Sequence, residues 1–224
     1  MNIGIIGTGN MGKALGLAWA RSGHSVLFGS RDLAKAQAVA ARSKEPARAG
    51  DFDAAAEFGE VVLYTVRGVF PSNTLTRPRS LFGKIVVDCN NRDLGDDSRP
   101  AEFDLDRPGP ATTLSDELQR DVPAARVVKA FSTIPHPVIE LGREKLAPYR
   151  VSAFLCSNDA SAKAVVKGLA ADLGLAAVDS GGLERARLVD GLADFLRFQI
   201  GPMGLGLFAT LSIDVVAPPT GASS

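Results

Sequence analysis

The sequence predicts an α/β fold: a Rossmann-type doubly wound parallel sheet with a small C-terminal α/β extension. Three observations point there. An apolar strand, Asn2-Ile3-Gly4-Ile5-Ile6, runs directly into Gly7-Thr8-Gly9-Asn10-Met11-Gly12 and then into a stretch of helical character. A glycine motif of this form is informative only in that strand–turn–helix setting, which a dinucleotide site requires. Further apolar runs alternate with Ala-rich helical stretches, the mark of strand–helix–strand units. Those runs are apolar at consecutive rather than alternate positions, which suits parallel strands buried on both faces.

Each element follows in order. After the first strand, a helix spans Met11 to Arg21. Gly7 provides the tight turn, Gly9 lets a pyrophosphate approach the backbone, and Gly12 lets the helix pack on the strand. The helix N-terminus then turns free N–H groups and a partial positive charge toward the phosphates. A second strand, Ser25 to Phe28, precedes a helix from Leu33 to Ala41. A short helix over Asp53 to Phe58 leads to a third strand, Val61 to Val66. A fourth, Lys84 to Cys89, ends at Asn90-Asn91-Arg92, and a fifth, Arg126 to Phe131, ends at Ser132-Thr133-Ile134-Pro135. Residues 92–113 read as a long Asp/Pro/Gly-rich loop. Structureless loops of that length are uncommon unless functional, so it is expected to cover the substrate side.

From Val151 the organisation shifts. Val151 to Cys156 reads as a strand, Ala160 to Leu173 as a helix, Ala176 to Asp179 as a strand and Leu183 to Gln199 as a long helix. A glycine-spaced apolar end, Gly201 to Phe208, follows. The expected division is an NADP-binding domain over 1–136, a C-terminal dimerisation and substrate-side region over 137–216 and a disordered Pro/Gly/Ser-rich tail over 217–224. Ligands of open parallel sheets lie beyond the strand carboxyl ends. That rule selects five segments: Thr8 to Met11, Ser30-Arg31, Thr65-Val66-Arg67, Asn90-Asn91, and Ser132-Thr133-Ile134-Pro135-His136.

The end of the second strand indicates which dinucleotide. An NAD-selective site places Asp or Glu there, about 20 residues past the glycines, to hold the ribose hydroxyls. This chain has Gly29, then Ser30 and Arg31, with Lys35 one helical turn on. An acid would repel a 2′-phosphate; a hydroxyl and two cations would hold one, and Arg can do so through two parallel hydrogen bonds. The expected cofactor is therefore NADP(H). The bland alternative is that Ser30 and Arg31 merely cap the next helix; in the phosphate-binding reading, Asp32 serves as a first-turn acid of that helix.

Composition bounds the rest. The 224 residues are 46% hydrophobic and only 6% aromatic, enough for an ordinary α/β core. Basic and acidic residues balance at 25 each, which argues against nucleic-acid or anionic-membrane partners. Cys89 and Cys156 each sit in an apolar run and read as buried free thiols of a reducing compartment. No secretory or membrane-spanning pattern is present, so a soluble cytoplasmic protein is expected. Of the two histidines, His24 lies away from the ligand edge and reads as structural, whereas His136 lies on that edge. No His/Cys/Asp/Glu group has metal-ligand spacing, and no nucleophile elbow or triad stands out.

Hydride transfer to an alcohol or ketone needs a proton donor, and the sequence offers no convincing one. Transfer between two redox cofactors needs none from the protein, which supplies stacking distance and orientation. That favours a cofactor-to-cofactor or cofactor-to-flavin reaction with no catalytic side chain.

The runs Gly7-Thr8-Gly9-Asn10-Met11-Gly12, Phe28-Gly29-Ser30-Arg31, Val128 to Pro135, Asp179-Ser180-Gly181-Gly182-Leu183 and Arg187 through Gly206 resemble the NADP-dependent reductases of the deazaflavin coenzyme F420. The resemblance covers about Asn2 to Phe208. It implies NADP contacts at Thr8, Gly9, Asn10, Met11, Ser30, Arg31 and Lys35, near Thr65 to Arg67, and at His136 and Leu205. It implies a deazaflavin lying against the nicotinamide near Ser132 to Pro135, and a homodimer packed through C-terminal helices. The cytosolic domains of membrane metalloreductases share the glycine loop and the Gly-Ser-Arg turn, so a soluble NADPH-dependent flavin or ferric reductase is the alternative enzyme. A non-catalytic NADP(H)-binding redox sensor is the alternative of another class.

Overall fold

In a computed structural model, which describes residues 1–92 and 112–216, the apolar runs become six parallel strands. They are β1 (Asn2–Ile6), β2 (Ser25–Gly29), β3 (Ala47–Gly50), β4 (Val61–Tyr64), β5 (Ile85–Asp88) and β6 (Arg126–Lys129), arranged β3-β2-β1-β4-β5-β6. The register places Ile5 between Phe28 and Leu63. Alternate side chains enter opposite layers, which is why neighbouring positions are all apolar. Ile3, Ile5, Phe28, Leu63, Val87 and Val128 pack in one layer; Ile6, Leu27, Val62, Val86 and Val127 pack in the other.

The helices flank this sheet. They are α1 (Asn10–Arg21), α2 (Leu33–Ala40), α3 (Phe52–Phe58), the single turn α4 (Pro71–Thr74), α5 (Leu114–Asp121), α6 (His136–Leu141), α7 (Arg143–Leu146), α8 (Ala160–Asp172) and α9 (Ala186–Ile200). A second, two-stranded parallel sheet pairs β7 (Ser152–Leu155) with β8 (Ala176–Asp179). One antiparallel bridge joins the sheets: the Lys129 N–H donates to the Cys156 carbonyl at 2.9 Å and the Cys156 N–H to the Lys129 carbonyl at 3.1 Å. The C-terminal region shares its apolar core with the large sheet, since Leu155, Val166 and Leu169 belong to the cluster of Ile3, Trp19 and Phe28. Trp19, fully buried, donates its indole N–H to the Leu169 carbonyl at 3.1 Å. His24 lies with Nε2 2.9 Å from the Asp172 carboxylate, tying the α1–β2 turn to the end of α8; it is structural, as expected.

The observed elements differ from the expected ones in definite places. β3 is additional: Ala-Arg-Ala-Gly has no β-branched or aromatic residue and sits at the sheet edge. α5 is also additional; it is a polar helix opened by a capping box between Thr113 and Asp116. β6 stops at Lys129 rather than Phe131, because Phe131 adopts φ 63°, outside strand geometry. The expected 183–199 helix begins as a 3-10 turn over Leu183–Arg185 before α9. The cover expected over 92–113 falls on residues 93–111, outside the described residues, as does the tail expected at 217–224. Among the described residues no helix is long and apolar enough to cross a membrane.

Candidate functional site

The sheet order reverses between β1 and β4, and a crevice outside the carboxyl ends of the strands is expected at such a switch point. A cleft of about 650 Å³ lies there, within the range of small-molecule sites. It is lined by Gly9, Asn10 and Met11 from the turn into α1, Thr65 and Arg67 after β4, Asn90 and Asn91 after β5, and Ser132 to His136 after β6. Four of the five segments selected from the sequence therefore meet in one place.

The glycine turn is built as its spacing requires. Gly7 sits at φ +110°, and a Cβ there would lie 2.2 Å from Thr65 Oγ1. A Cβ on Gly12 would lie 2.1 Å from the Gly7 carbonyl oxygen, so no side chain fits at this helix–turn contact. Gly9 is different: nothing lies within 4 Å of where its Cβ would be. The space beside Gly9 is open, as needed for a ligand that approaches the backbone. Gly9 is the N-cap of α1 and supplies no side-chain cap, and the first turn carries no acid. The amide end of α1 thus keeps its affinity for an anion.

The turn after β6 forms another part of the wall. Ser132 and Thr133 are buried, yet Ser132 Oγ and Thr133 Oγ1 have no hydrogen-bond partner among the described residues. Asn91 donates Nδ2 to the Ser132 carbonyl at 2.8 Å, leaving its buried Oδ1 without a partner. Unpaired buried polar atoms are costly and call for an explanation. Three of them at one cleft fit a ligand that carries both donors and acceptors. Cys89 also borders the cleft, but burial pushes its thiol up to about 12, so it holds no thiolate near neutrality. Both cysteines are free and buried, as expected.

The segment Ser30-Arg31 lies outside this cleft, at the end of β2. Ser30 is buried and its Oγ accepts from the Asp32 N–H at 3.2 Å, while Arg31 and Lys35 are exposed. Helix α2 is capped by Asp32, whose carboxylate accepts from the Ala34 N–H at 3.0 Å. Asp32 is thus the N-cap rather than a first-turn acid, and the cap does not use Arg31. Lys35 lies 4.0 Å from that carboxylate. A side chain at Gly29 would meet the Ala55 methyl at 2.7 Å and the Asp51 carbonyl oxygen at 2.8 Å, so this position has no room for the acid an NAD site uses.

Two expected contacts fall elsewhere. Val66 borders a small separate hollow with Tyr64, Phe70 and Leu118. Leu205 is exposed and does not line the cleft; Leu207 does. The remaining wall comes from α9, within the region expected on the substrate side, through four residues the sequence does not single out: Ala193, Leu196, Arg197 and Ile200. Behind it lies an ionic cluster. Lys129 is fully buried, with Nζ 2.7 Å from Asp190 of α9 and 3.5 Å from Asp88 of β5, and it donates to the Asn90 carbonyl. Burial pulls this amine down, but the Asp88 and Asp190 carboxylates outweigh it and hold Lys129 above its ordinary value. Burial raises the Asp190 carboxyl against the pull of Lys129. Three acceptors surround Nζ, and that arrangement requires the ammonium. Asp88 further accepts from Ser115 Oγ at 2.6 Å and from the Asn90 N–H at 2.9 Å. Nearby, Arg92 meets Asp194 of α9 at 2.6 Å, and Arg197 donates to the Arg92 carbonyl.

Comparisons with known proteins agree with this geometry. Residues 2–92 match the family model described as NADP oxidoreductase, coenzyme F420-dependent. An F420-dependent NADP reductase of Methanocaldococcus jannaschii is 29% identical over 88% of this chain and 91% of its own length. One from Methanothermobacter thermautotrophicus is 30% identical over 88% of each chain. A crystal structure of a candidate F420-dependent NADP reductase from Arthrobacter sp. FB24 superposes with a TM-score of 0.72 at 28% identity, covering 95% of this chain and 99% of that one.

Proposed function

This chain belongs to the family of F420-dependent NADP reductases, and from that premise we propose that it is an oxidoreductase passing hydride directly between NADP(H) and the deazaflavin coenzyme. When bound together, the two coenzymes supply the redox chemistry, one hydride moving between their rings and one proton exchanged with water. The protein binds, orients and shields. The observation that carries this reading is the cleft itself: an uncapped amide end of α1, three unpaired buried polar atoms at Asn91, Ser132 and Thr133, and a wall from α9.

In this reading Gly7 to Gly12 cradle the pyrophosphate, with Thr8 to Met11 along it. Ser30 and Arg31 hold the 2′-phosphate, aided by Lys35. Thr65, Arg67, Asn90 and His136 border the nicotinamide half, and Ser132 to Pro135 face the deazaflavin. Val66 and Leu205 act only as neighbours of contact residues. No side chain is assigned as acid or base, and the Cys89 thiol is too high to exchange a proton at neutral pH.

We assign residues 1–136 to cofactor binding and 137–216 to the co-substrate side and to pairing of two copies. Leu188, Leu192 and Phe195 stand exposed on one side of α9, with Met203, Leu205 and Phe208 exposed just beyond it. An apolar surface of that kind suits a second copy of the chain. Light scattering tests it: a 23.4 kDa species at micromolar concentration would end the pairing assignment.

The deciding experiment mixes protein, NADPH and oxidised deazaflavin coenzyme and follows both absorbances. Parallel, equimolar loss is expected. Consumption of NADPH with flavins or ferric complexes alone moves the assignment to a flavin or metal reductase. Binding without turnover of any acceptor makes the protein a sensor.

A further inference from the structure

Helix α9 supplies four residues to the cleft, yet the apolar cluster that anchors it takes in only its first turns, Ala186 and Val189 against Phe154 and Cys156. Further along, Ala193, Leu196 and Ile200 are buried on the cleft side, and two ion pairs tie this part of the helix to β6 and to the loop after β5. Asp190 meets Lys129 at 2.7 Å and Asp194 meets Arg92 at 2.6 Å. Lys129 is fully buried, and the same Nζ donates to the carbonyl of Asn90, a residue of the cleft wall. Asn90 is gripped from a second direction: its N–H and Nδ2 both donate to Asp88 Oδ1 at 2.9 Å, and Nδ2 also donates to the Tyr64 carbonyl at 3.0 Å. One ammonium therefore joins β6, the loop after β5 and α9.

We propose that Lys129 is a positioning residue: its ammonium, clamped between Asp88 and Asp190, holds α9 at a fixed spacing over the cleft and so shapes the face that receives the second coenzyme. The coenzyme part of this inference rests on the hydride-transfer reading above; the placement of α9 does not. Among the described residues, the amide end of α1 and the Ser30-Arg31 turn share no hydrogen bond or ion pair with Lys129, Asp88 or Asp190. Asn90, on the nicotinamide side in that reading, keeps its bonds to Asp88 and Tyr64 without Lys129, so NADPH should lose far less affinity than the partner coenzyme when the clamp is lost.

The physical reason to expect charge rather than bulk to matter is that an unpaired buried carboxylate is far costlier than an apolar replacement of the whole pair. Lys129→Met leaves Asp88 and Asp190 facing each other without the cation. It should lower the thermal midpoint and raise the deazaflavin KM at least tenfold, with the NADPH Kd within about twofold. Lys129→Met with Asp190→Asn removes one of the two carboxylates along with the clamp, and leaves Asp88 held by Ser115 and Asn90. The midpoint should recover in part, while the KM stays raised at least fivefold and amide exchange across 186–200 stays faster than in the parent protein. Exchange in residues 2–21 should be unchanged. If KM and α9 exchange return to parental values along with the midpoint, the cluster only stabilises the fold and the proposal fails. It also fails if NADPH affinity drops as much as coenzyme KM rises. Should the parent protein turn over no deazaflavin, the function reading falls, and α9 exchange alone decides the clamp.

Discussion

The rings of Trp19 and Phe131 meet edge to face, with centroids 5.7 Å apart and planes inclined by 72°. Trp19 belongs to α1, the helix that follows the glycine turn, and Phe131 immediately precedes the turn bearing Ser132 and Thr133. The contact thus fixes two walls of the cleft to each other from beneath. Phe131 is also the one described non-glycine residue at positive φ, 63°, a conformation costly for a bulky side chain. Burial of the ring offsets that strain, because Phe131 is fully inaccessible.

A reversal of the usual order follows at this position. Phe131→Ala loses the ring and keeps the backbone strain, and should cost about 3–5 kcal/mol. Phe131→Gly loses the same ring but relieves the strain, and should be the more stable by about 1–2 kcal/mol. Urea unfolding of the two variants checks this; an alanine variant more stable than the glycine one contradicts the left-handed backbone.

The glycines of the turn separate into fold and binding. Gly12→Ala should destabilise the protein by about 1–3 kcal/mol, because its methyl group meets a backbone carbonyl. Gly9→Ala has open space for its methyl and should leave the thermal midpoint in place, yet weaken NADPH binding tenfold or more. Unimpaired NADPH binding by Gly9→Ala would remove the pyrophosphate from this turn.

Arg31→Ala tests the 2′-phosphate assignment. Charge-assisted hydrogen bonds contribute roughly 1.5–3 kcal/mol, so NADPH affinity should fall about ten- to a hundredfold. Calorimetric titration with NADH should show no comparable loss. Equal losses for both dinucleotides would take Arg31 off the phosphate.

Acid stability carries a signature of Asp159, which caps α8 and pairs with Arg126 at 2.6 Å. The hydrogen bond from Arg126 and those from Ala162 and Ser161 hold its carboxyl far below the ordinary 3.8. A depressed carboxyl contributes stability that is fully present above the unfolded value and is lost as pH falls toward the folded one. Asn caps a helix about as well as Asp, so Asp159→Asn removes the ion pair and keeps the cap. Its thermal midpoint should lie below the parent's at neutral pH, and the gap should begin to narrow only as pH falls below about 4. A constant offset across the acid range would show that the pair makes no contribution.

Thiol chemistry offers an independent check on the core. Burial pushes Cys89 up to about 12 and Cys156 up to about 11. Neither should react with iodoacetamide at pH 8 in the native protein, and both should react once it is unfolded. Labelling of Cys89 before unfolding would mean that the cleft opens to its floor.

Legibility in the sequence tracked the scale of the physical signal. The strands β1, β2, β4, β5 and β6 could be read because burial on both faces forces consecutive Val, Ile and Leu. The glycine turn could be read because a positive φ at Gly7 and a backbone clash at Gly12 exclude a side chain. β3 could not, since an edge strand of Ala, Arg and Gly has no apolar run, although it pairs in register with β2. The α5 cap, Thr113 with Asp116, was a local signal in plain view, but it sits on a helix too polar to suggest burial. The α9 wall was hidden for a different reason. Asp190 and Asp194 look like the solvated side of an amphipathic helix until the fold brings Lys129 and Arg92 to them from far away in the chain. Charges paired over such separations leave no trace in periodicity.

The cleft is built from both ends of the described chain. Residues 9–11 line it beside residues 193–207, and the large sheet is complete at Lys129. During synthesis, the amide end of α1 and the strand ends would emerge well before the helix that walls them. A nascent chain could then form its sheet first, as N-terminal units generally do, and offer the dinucleotide an open half-site. Occupancy at that stage would make NADP(H) a folding ligand before it becomes a reactant.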